Sequence, residues 1–269
     1  PLFIFAGGHL LCAKLRPANI DASAGAKDEL ARIIRQIRRT WPNVRIIARG
    51  DSGFCRDEIM SWCEENDVDY VFGLAKNDRL KAQITEELET ARALYEASGE
   101  AARVFKDLTY RTRASWSRQR RVVAKAEHLD KGANPRFVVT SLPETEWDMR
   151  ALYEELYCAR GEMENRIKEH QLYMFGERTS SPKMAANQLR LWFSGAAYTL
   201  MHLLRQFGLA GTELARAQCN TIRLKLLKVG AQVRRTVRRF WLRIAEGFPY
   251  AGLMRQAAAN LEAWRPLRC

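Results

Sequence analysis

Histidine occurs only four times in the 269 residues, and none of the six cysteines, at positions 12, 55, 63, 158, 219 and 269, forms a CxxC pair. Structural zinc sites use four such ligands at short spacings, so this pattern argues against one. Scattered thiols suit a reducing compartment better than a stapled secreted domain. Cys55 and Cys63 read as small core residues of one helix. No apolar run reaches membrane length: the stretch 191–204 is broken by Ser194, Gly195, Thr199 and His202. The opening PLFIFAGG lacks the basic start of a secretory leader. Repeats and low-complexity tracts are also missing. The expectation is a cytoplasmic protein without membrane contact, built as one large domain or as a core with additions.

Apolar residues make up 47 % of the chain, enough for a sizeable core. Positive charge is the conspicuous excess. The net charge of +13 divides into +6 over residues 1–50, −8 over 51–100, +5 over 101–150, zero over 151–200 and +10 over 201–269. Two basic regions around an acidic middle suit a polyanion held at several points. Solubility alone is the plainer reading.

Residues 2–6 and the run from His9 to Arg16 form a hairpin around Gly7-Gly8. Asp21 or Ser23 is positioned to cap a helix over about 24–40. VRIIA at 44–48 and DYVFGLA at 69–75 are short strands covered on both faces, with a helix over 56–66 between them. This order predicts a mixed sheet with helices on its faces. A helix over 79–98 follows, then a β-rich block over 103–142, which is either an insertion or an extension of the sheet. In that block Val123, Lys125 and Glu127 begin a two-residue alternation. Helix returns over about 148–172, 184–207 and 211–245, the last with a break at Gly230.

RIIARGDSGF places one carboxylate, Asp51, at the mouth of a buried strand. Such a place does little for stability and suits a metal ligand. A second candidate lies in YEELYCARGEMENRIKEHQL, where Tyr157, Arg160, Glu164 and Lys168 step by three and four along one helix face. Glu164–Lys168 pairing, Arg160–Glu164 pairing and packing of Tyr157 on the sheet are the structural alternatives. Asn165 either orients Glu164 or is solvated. Ser52 closes the turn through its hydroxyl, since no histidine is placed to activate it.

RGDSGF, ENRIKE, NQLRLWFSGAAY and TIRLKLLKVGA, in this order, resemble the body of a bacterial DDE transposase, of the insertion-sequence-1380 family within the insertion-sequence-4 superfamily. The likeness covers nearly the whole chain. It implies an RNase H-like mixed sheet flanked by helices, with a β-rich insertion and a basic helical C-terminal region. By resemblance, the catalytic core comprises 1–80 and 148–207, the insertion 81–147, and the basic region 208–269. Three carboxylates would hold Mg2+, or Mn2+. The second corresponds to Asp51 and the third to Glu164. Tyr157 and Arg160 match the family's tyrosine and arginine. The family's lysine seven places after the glutamate is Gln171 here, and Lys168 is the nearby candidate. The first carboxylate belongs upstream of the hairpin, yet no Asp or Glu precedes Asp21. We therefore expect Pro1 to follow the family's first strand.

The resemblance further implies duplex DNA as substrate, at element ends and at the target. It also implies a homodimer on DNA and a nucleoid-associated bacterial location. A non-catalytic DNA-binding remnant and another RNase H-like nuclease are the alternatives. Candidate DNA contacts are Arg49, the block Arg111, Arg113, Trp116, Arg118, Arg120 and Arg121, and the C-terminal Lys225, Lys228, Arg234, Arg235, Arg238 and Arg239. Arginines interleaved with an aromatic residue can clamp a backbone and stack on a base. A core Trp116 would look the same in sequence, and Arg49 could instead satisfy a carbonyl. RRTVRRFWLR, which also contains Arg243, is expected to form a cationic helix face.

Overall fold

A computed structural model describes residues 1–264; Cys269 and the end of the 208–269 region lie outside the described residues. Contacts divide the chain into two units. The first joins Pro1–Arg16 to the part from Met163 onward, and the second is Pro17–Glu162.

The first unit opens with an antiparallel hairpin of β1 (Leu2–Ala6) and β2 (His9–Lys14). Gly7 turns it at φ +55°. The order of elements predicts this hairpin as part of the mixed sheet; it stands instead as its own two-stranded sheet. Phe5 and Leu10 explain this, because they pack into the core of the first unit.

The second unit begins with α1 (Ala26–Thr40), whose Ile33 and Ile34 are buried. The expected cap is corrected. Gly25, in the left-handed conformation, starts the helix, while Asp21 accepts from Ser23 and pairs with Arg56. β3 (Ile47–Gly50) lies later than the predicted 44–48, so Arg49 and Gly50 belong to the strand. A 3-10 turn over Ser52–Phe54 leads to α2 (Asp57–Glu65) and then β4 (Asp69–Leu74). The predicted helix over 79–98 is two helices, α3 (Asp78–Ala82) and α4 (Thr85–Ser98).

β5 (Ala102–Tyr110), β6 (Arg120–Leu129), β7 (Gly132–Ala133) and β8 (Arg136–Thr140) follow. They extend the sheet rather than forming a separate one. Its order is β3-β4-β8-β6-β5, with β7 on β6. β3 and β4 run parallel, and the β4–β8, β8–β6 and β6–β5 pairs are antiparallel. The result is an open mixed sheet flanked by helices, an RNase H-like α/β arrangement. Its core gathers Val71, Val123, Val138, Leu142 and Leu152. The alternation expected in β6 does not divide inside from outside. Lys125 and Glu127 are both buried and bond to each other at 2.7 Å, so charge pairing lets β6 bury both faces.

One irregular helical run follows: α5 (Met149–Ala151), a π-helical stretch Leu152–Tyr157, a 3-10 turn Cys158–Arg160, α6 (Gly161–Lys168) and a second π-helical stretch Glu169–Tyr173. The first unit continues with α7 (Met184–Leu203). Gln188 on α7 accepts from Leu15 N–H at 2.7 Å and donates to the Ala13 carbonyl at 3.1 Å. Tyr198 donates to the Gly8 carbonyl at 3.0 Å. These bonds fix β2 and the hairpin turn on α7. α8 (Cys219–Ile222) and α9 (Ala251–Ala263) complete the core around Tyr198, Leu209, Ile222 and Ala257.

The expected helix to 245 is overturned. Between α8 and α9 the chain forms a second hairpin, β9 (Ala231–Arg235) with β10 (Phe240–Ile244). The cationic helix face of RRTVRRFWLR therefore does not exist. Val233 and Arg235 across from Leu242 and Phe240 follow a period of two, which the arginine spacing disguised as a helical one.

Candidate active site

Asp51 stands immediately after the edge strand β3. Its side chain is exposed, and Oδ1 accepts from Gly53 N–H at 2.8 Å, capping the 3-10 turn. The Asp51 carbonyl accepts from Phe54 N–H at 3.1 Å. The backbone of the loop thus holds one carboxylate oxygen. Two glycines let it close tightly. A Cβ on Gly50 would meet Phe54 at 3.1 Å, and one on Gly53 would meet Asp51 Oδ1 at 3.0 Å. Arg49 donates to the Leu156 carbonyl at 2.7 Å, so it ties the strand to the π-helical stretch while remaining exposed.

Gly73, on β4, is the site residue that the sequence reading missed. A Cβ there would stand 2.6 Å from Tyr157 Oη, 3.0 Å from Ser52 N and 3.3 Å from Asp51 C. The Asp51 loop and Tyr157 therefore meet over a bare stretch of strand. The signal was present in VFGLA, since an isolated glycine in a buried strand marks a close approach.

Tyr157 ends the π-helical stretch and Arg160 ends the 3-10 turn. In a 3-10 turn, residues three apart eclipse. The Arg160 guanidinium accordingly lies over the Tyr157 ring, 5.8 Å from its centroid. Burial raises the Tyr157 phenol above its ordinary pKa; the Arg160 charge opposes this and the Asp51 charge adds to it. The hydroxyl is thus protonated at neutral pH and available as a donor. Asp51, Gly73, Tyr157 and Arg160 all lie within the second unit.

Glu164, Asn165 and Lys168 lie on α6 with exposed side chains, in the part assigned to the first unit. Next to them, Glu169 is 3 % exposed. It accepts from Arg166 at 2.6 Å, Arg205 at 3.1 Å and Cys219 N–H at 2.9 Å. Burial raises its pKa, and these donors outweigh that to leave it below the ordinary value. Glu169 therefore anchors the helix internally. Among the described residues, no group of three His, Cys, Asp or Glu forms a metal-holding cluster.

The predicted DNA contacts divide sharply. Trp116 is 3 % exposed and packs edge-on against Tyr110. Arg120 is 5 % exposed and bonds Asp57 at 2.7 Å and Glu64 at 2.7 Å. Arg121 pairs with Asp107 at 2.8 Å and reaches the Leu142 carbonyl. Arg111 donates to the Trp116 carbonyl, and Arg118 pairs with Glu64 at 3.2 Å; both are exposed, as is Arg113. Lys225 lies over the Tyr250 ring at 4.9 Å, and Lys228 is exposed. Arg234, Arg235, Arg238, Arg239 and Arg243 are all exposed on the β9–β10 hairpin.

No helix among the described residues is long and apolar enough to cross a membrane. No curated protein matches the chain. The family model described as transposase DDE domain, group 1, matches residues 1–266 and so spans both the Asp51 loop and the Glu164 helix. By that match over nearly its whole length, the chain belongs to the DDE transposase domain family, group 1.

Proposed function

We propose that the chain is the catalytic region of a cut-and-paste DNA transposase. It hydrolyses phosphodiester bonds at element ends and joins the freed 3′-hydroxyl to target DNA by transesterification. One observation carries this reading: the family match runs through both carboxylate-bearing segments, Asp51 and Glu164. Finer membership, in the insertion-sequence-1380 family, belongs to the same proposal.

Asp51 and Glu164 would hold Mg2+ or Mn2+. Their hard oxygen donors fit these ions, and Mg2+ is commonly held by one or two carboxylates together with water and substrate phosphates. When bound, the metal supplies charge relief at the phosphate and activation of the attacking oxygen. Arg160 donates to non-bridging phosphate oxygens. Tyr157, kept protonated by burial, donates its hydroxyl hydrogen to the same backbone. Lys168 adds positive charge beside Glu164, and Asn165 orients that carboxylate. In strand transfer the 3′-oxygen forms a new bond to phosphorus as the bond to the leaving 3′-oxygen of the target breaks. A homodimer on DNA would hold two element ends together.

The test incubates the full chain with Mg2+, DNA carrying the element's terminal repeats and a target plasmid. Nicked ends and joined products are expected; Asp51→Asn and Glu164→Gln should each abolish both while retaining DNA binding. Cleavage without joining would identify a nuclease instead. A second reading is a DNA-binding protein without catalysis. It is favoured by the lack, among the described residues, of a three-member acidic cluster. Binding with no cleavage in either Mg2+ or Mn2+ would establish it.

A further inference from the structure

We propose that the β9–β10 ribbon enters the major groove of duplex DNA and presents Gln232, Arg234 and Arg243 to base edges. The inference rests on the DNA-acting reading above and adds to it the element, the groove and the reading side chains.

The register sorts the ribbon into two faces, because directly opposed residues share a side. Ala231 opposes Ile244, Val233 opposes Leu242 and Arg235 opposes Phe240. On the other face Gln232 opposes Arg243 and Arg234 opposes Trp241. Val233, Leu242 and Trp241 are 66 %, 70 % and 54 % exposed. A two-stranded ribbon with nothing packed on it is marginal in water. Whatever the ribbon binds therefore completes its fold.

Charge selects the occupant. Arg234, Arg235, Arg238, Arg239 and Arg243 fall within ten residues. The one acidic partner among the described residues is Glu246, 4.0 Å from Arg243. Such a field repels itself until a polyanion neutralises it. Shape agrees, since a major groove about 12 Å wide admits a two-stranded β-ribbon. The polar face also has the chemistry of base recognition. Arginine forms a fork to guanine O6 and N7, and glutamine reaches adenine N6 and N7. At the tip, the Thr236 amide donates to the Arg239 carbonyl and the Arg239 amide donates to Thr236 Oγ1. This closed loop leaves Arg238 and Arg239 for phosphates.

The experiment uses the full chain and a random-sequence 30-base-pair duplex pool, read by fluorescence anisotropy and by sequencing of the bound fraction. Methyl green, a major-groove ligand, should displace the protein, whereas netropsin, which occupies the minor groove, should not. Arg238→Ala with Arg239→Ala should weaken all duplexes about tenfold and flatten the salt slope by roughly two. Gln232→Ala with Arg234→Ala and Arg243→Ala should erase the base preference of the selected pool. Matching circular dichroism melts would show that the variants fold. Displacement by netropsin alone would overturn the proposal, as would an unchanged preference in the triple variant. Full duplex affinity with lost binding to phosphatidylserine vesicles would assign the ribbon to a membrane surface instead. No readout needs cleavage, so the ribbon and the catalytic reading can fail separately.

Discussion

Residues 111–121 and 234–243 look alike in sequence, each setting five arginines beside at least one aromatic residue, Trp116 in the first and Phe240 and Trp241 in the second. In the folded protein they part at Trp116, Arg120 and Arg121, although Arg111, Arg113 and Arg118 are exposed like the later arginines. Arg120 and Arg121 are held by Glu64, Asp57 and Asp107, and Trp116 is covered. The later arginines stand on a ribbon whose side chains remain in solvent. The difference lies in what surrounds each segment. α2 brings Asp57 and Glu64 to the first, whereas residues 231–244 contain no acid at all. An arginine-rich stretch is thus a structural anchor or a binding surface according to the carboxylates that the fold delivers to it.

The comparison breaks most readily at Arg120. Replacing it with methionine strands Asp57 and Glu64, and should cost about 3–5 kcal/mol in urea unfolding. The same loss is expected for Trp116→Ala, about 3–5 kcal/mol, while Trp241→Ala should change stability by less than about 0.5 kcal/mol. Equal costs for the two tryptophans would refute the contrast.

Acid should act next, through the first unit. Burial holds the His170 imidazole down at about 4, against an ordinary 6.5. The unfolded chain therefore binds the extra proton first, and stability is lost as pH falls from about 6.5 to about 4, by up to roughly 3 kcal/mol. His202, also lowered to about 4 by burial and by the neighbouring His9, acts in the same direction. Melting temperatures across that range should drop, and His170→Gln should flatten the slope.

At the Asp51 loop the expected effect is smaller. Gly73→Ala forces a methyl against Tyr157 Oη and should destabilise by about 1–3 kcal/mol. Tyr157→Phe in the same chain should recover part of that. A double-mutant cycle showing no coupling would separate the two residues. The smallest expected change is for Arg234→Ala with Arg235→Ala, which should leave unfolding within about 0.5 kcal/mol of the parent.

Much of this was legible before folding. The strand–loop–helix around Asp51, the order of β3, α2 and β4, and the helical run through Tyr157 and Glu164 follow from apolar period and glycine placement. The C-terminal end of β3 lies two residues beyond the expected one because Arg49 and Gly50 break the apolar run without ending the strand. β9 and β10 were missed because arginines at short intervals fit both a three-to-four and a two-residue period. Gly73 was passed over because its importance lies in Tyr157, some eighty positions away.

Most local elements up to α8, and the candidate chemistry, thus follow from residue order alone, since hydrophobic period, turn residues and charge act between near neighbours; the β9–β10 ribbon does not. Only the tertiary structure decided which arginines are buried, that Lys125 and Glu127 share the interior, and that Tyr157 comes to rest on Gly73. Each of those depends on which distant groups share a low-dielectric space, and no local pattern encodes that.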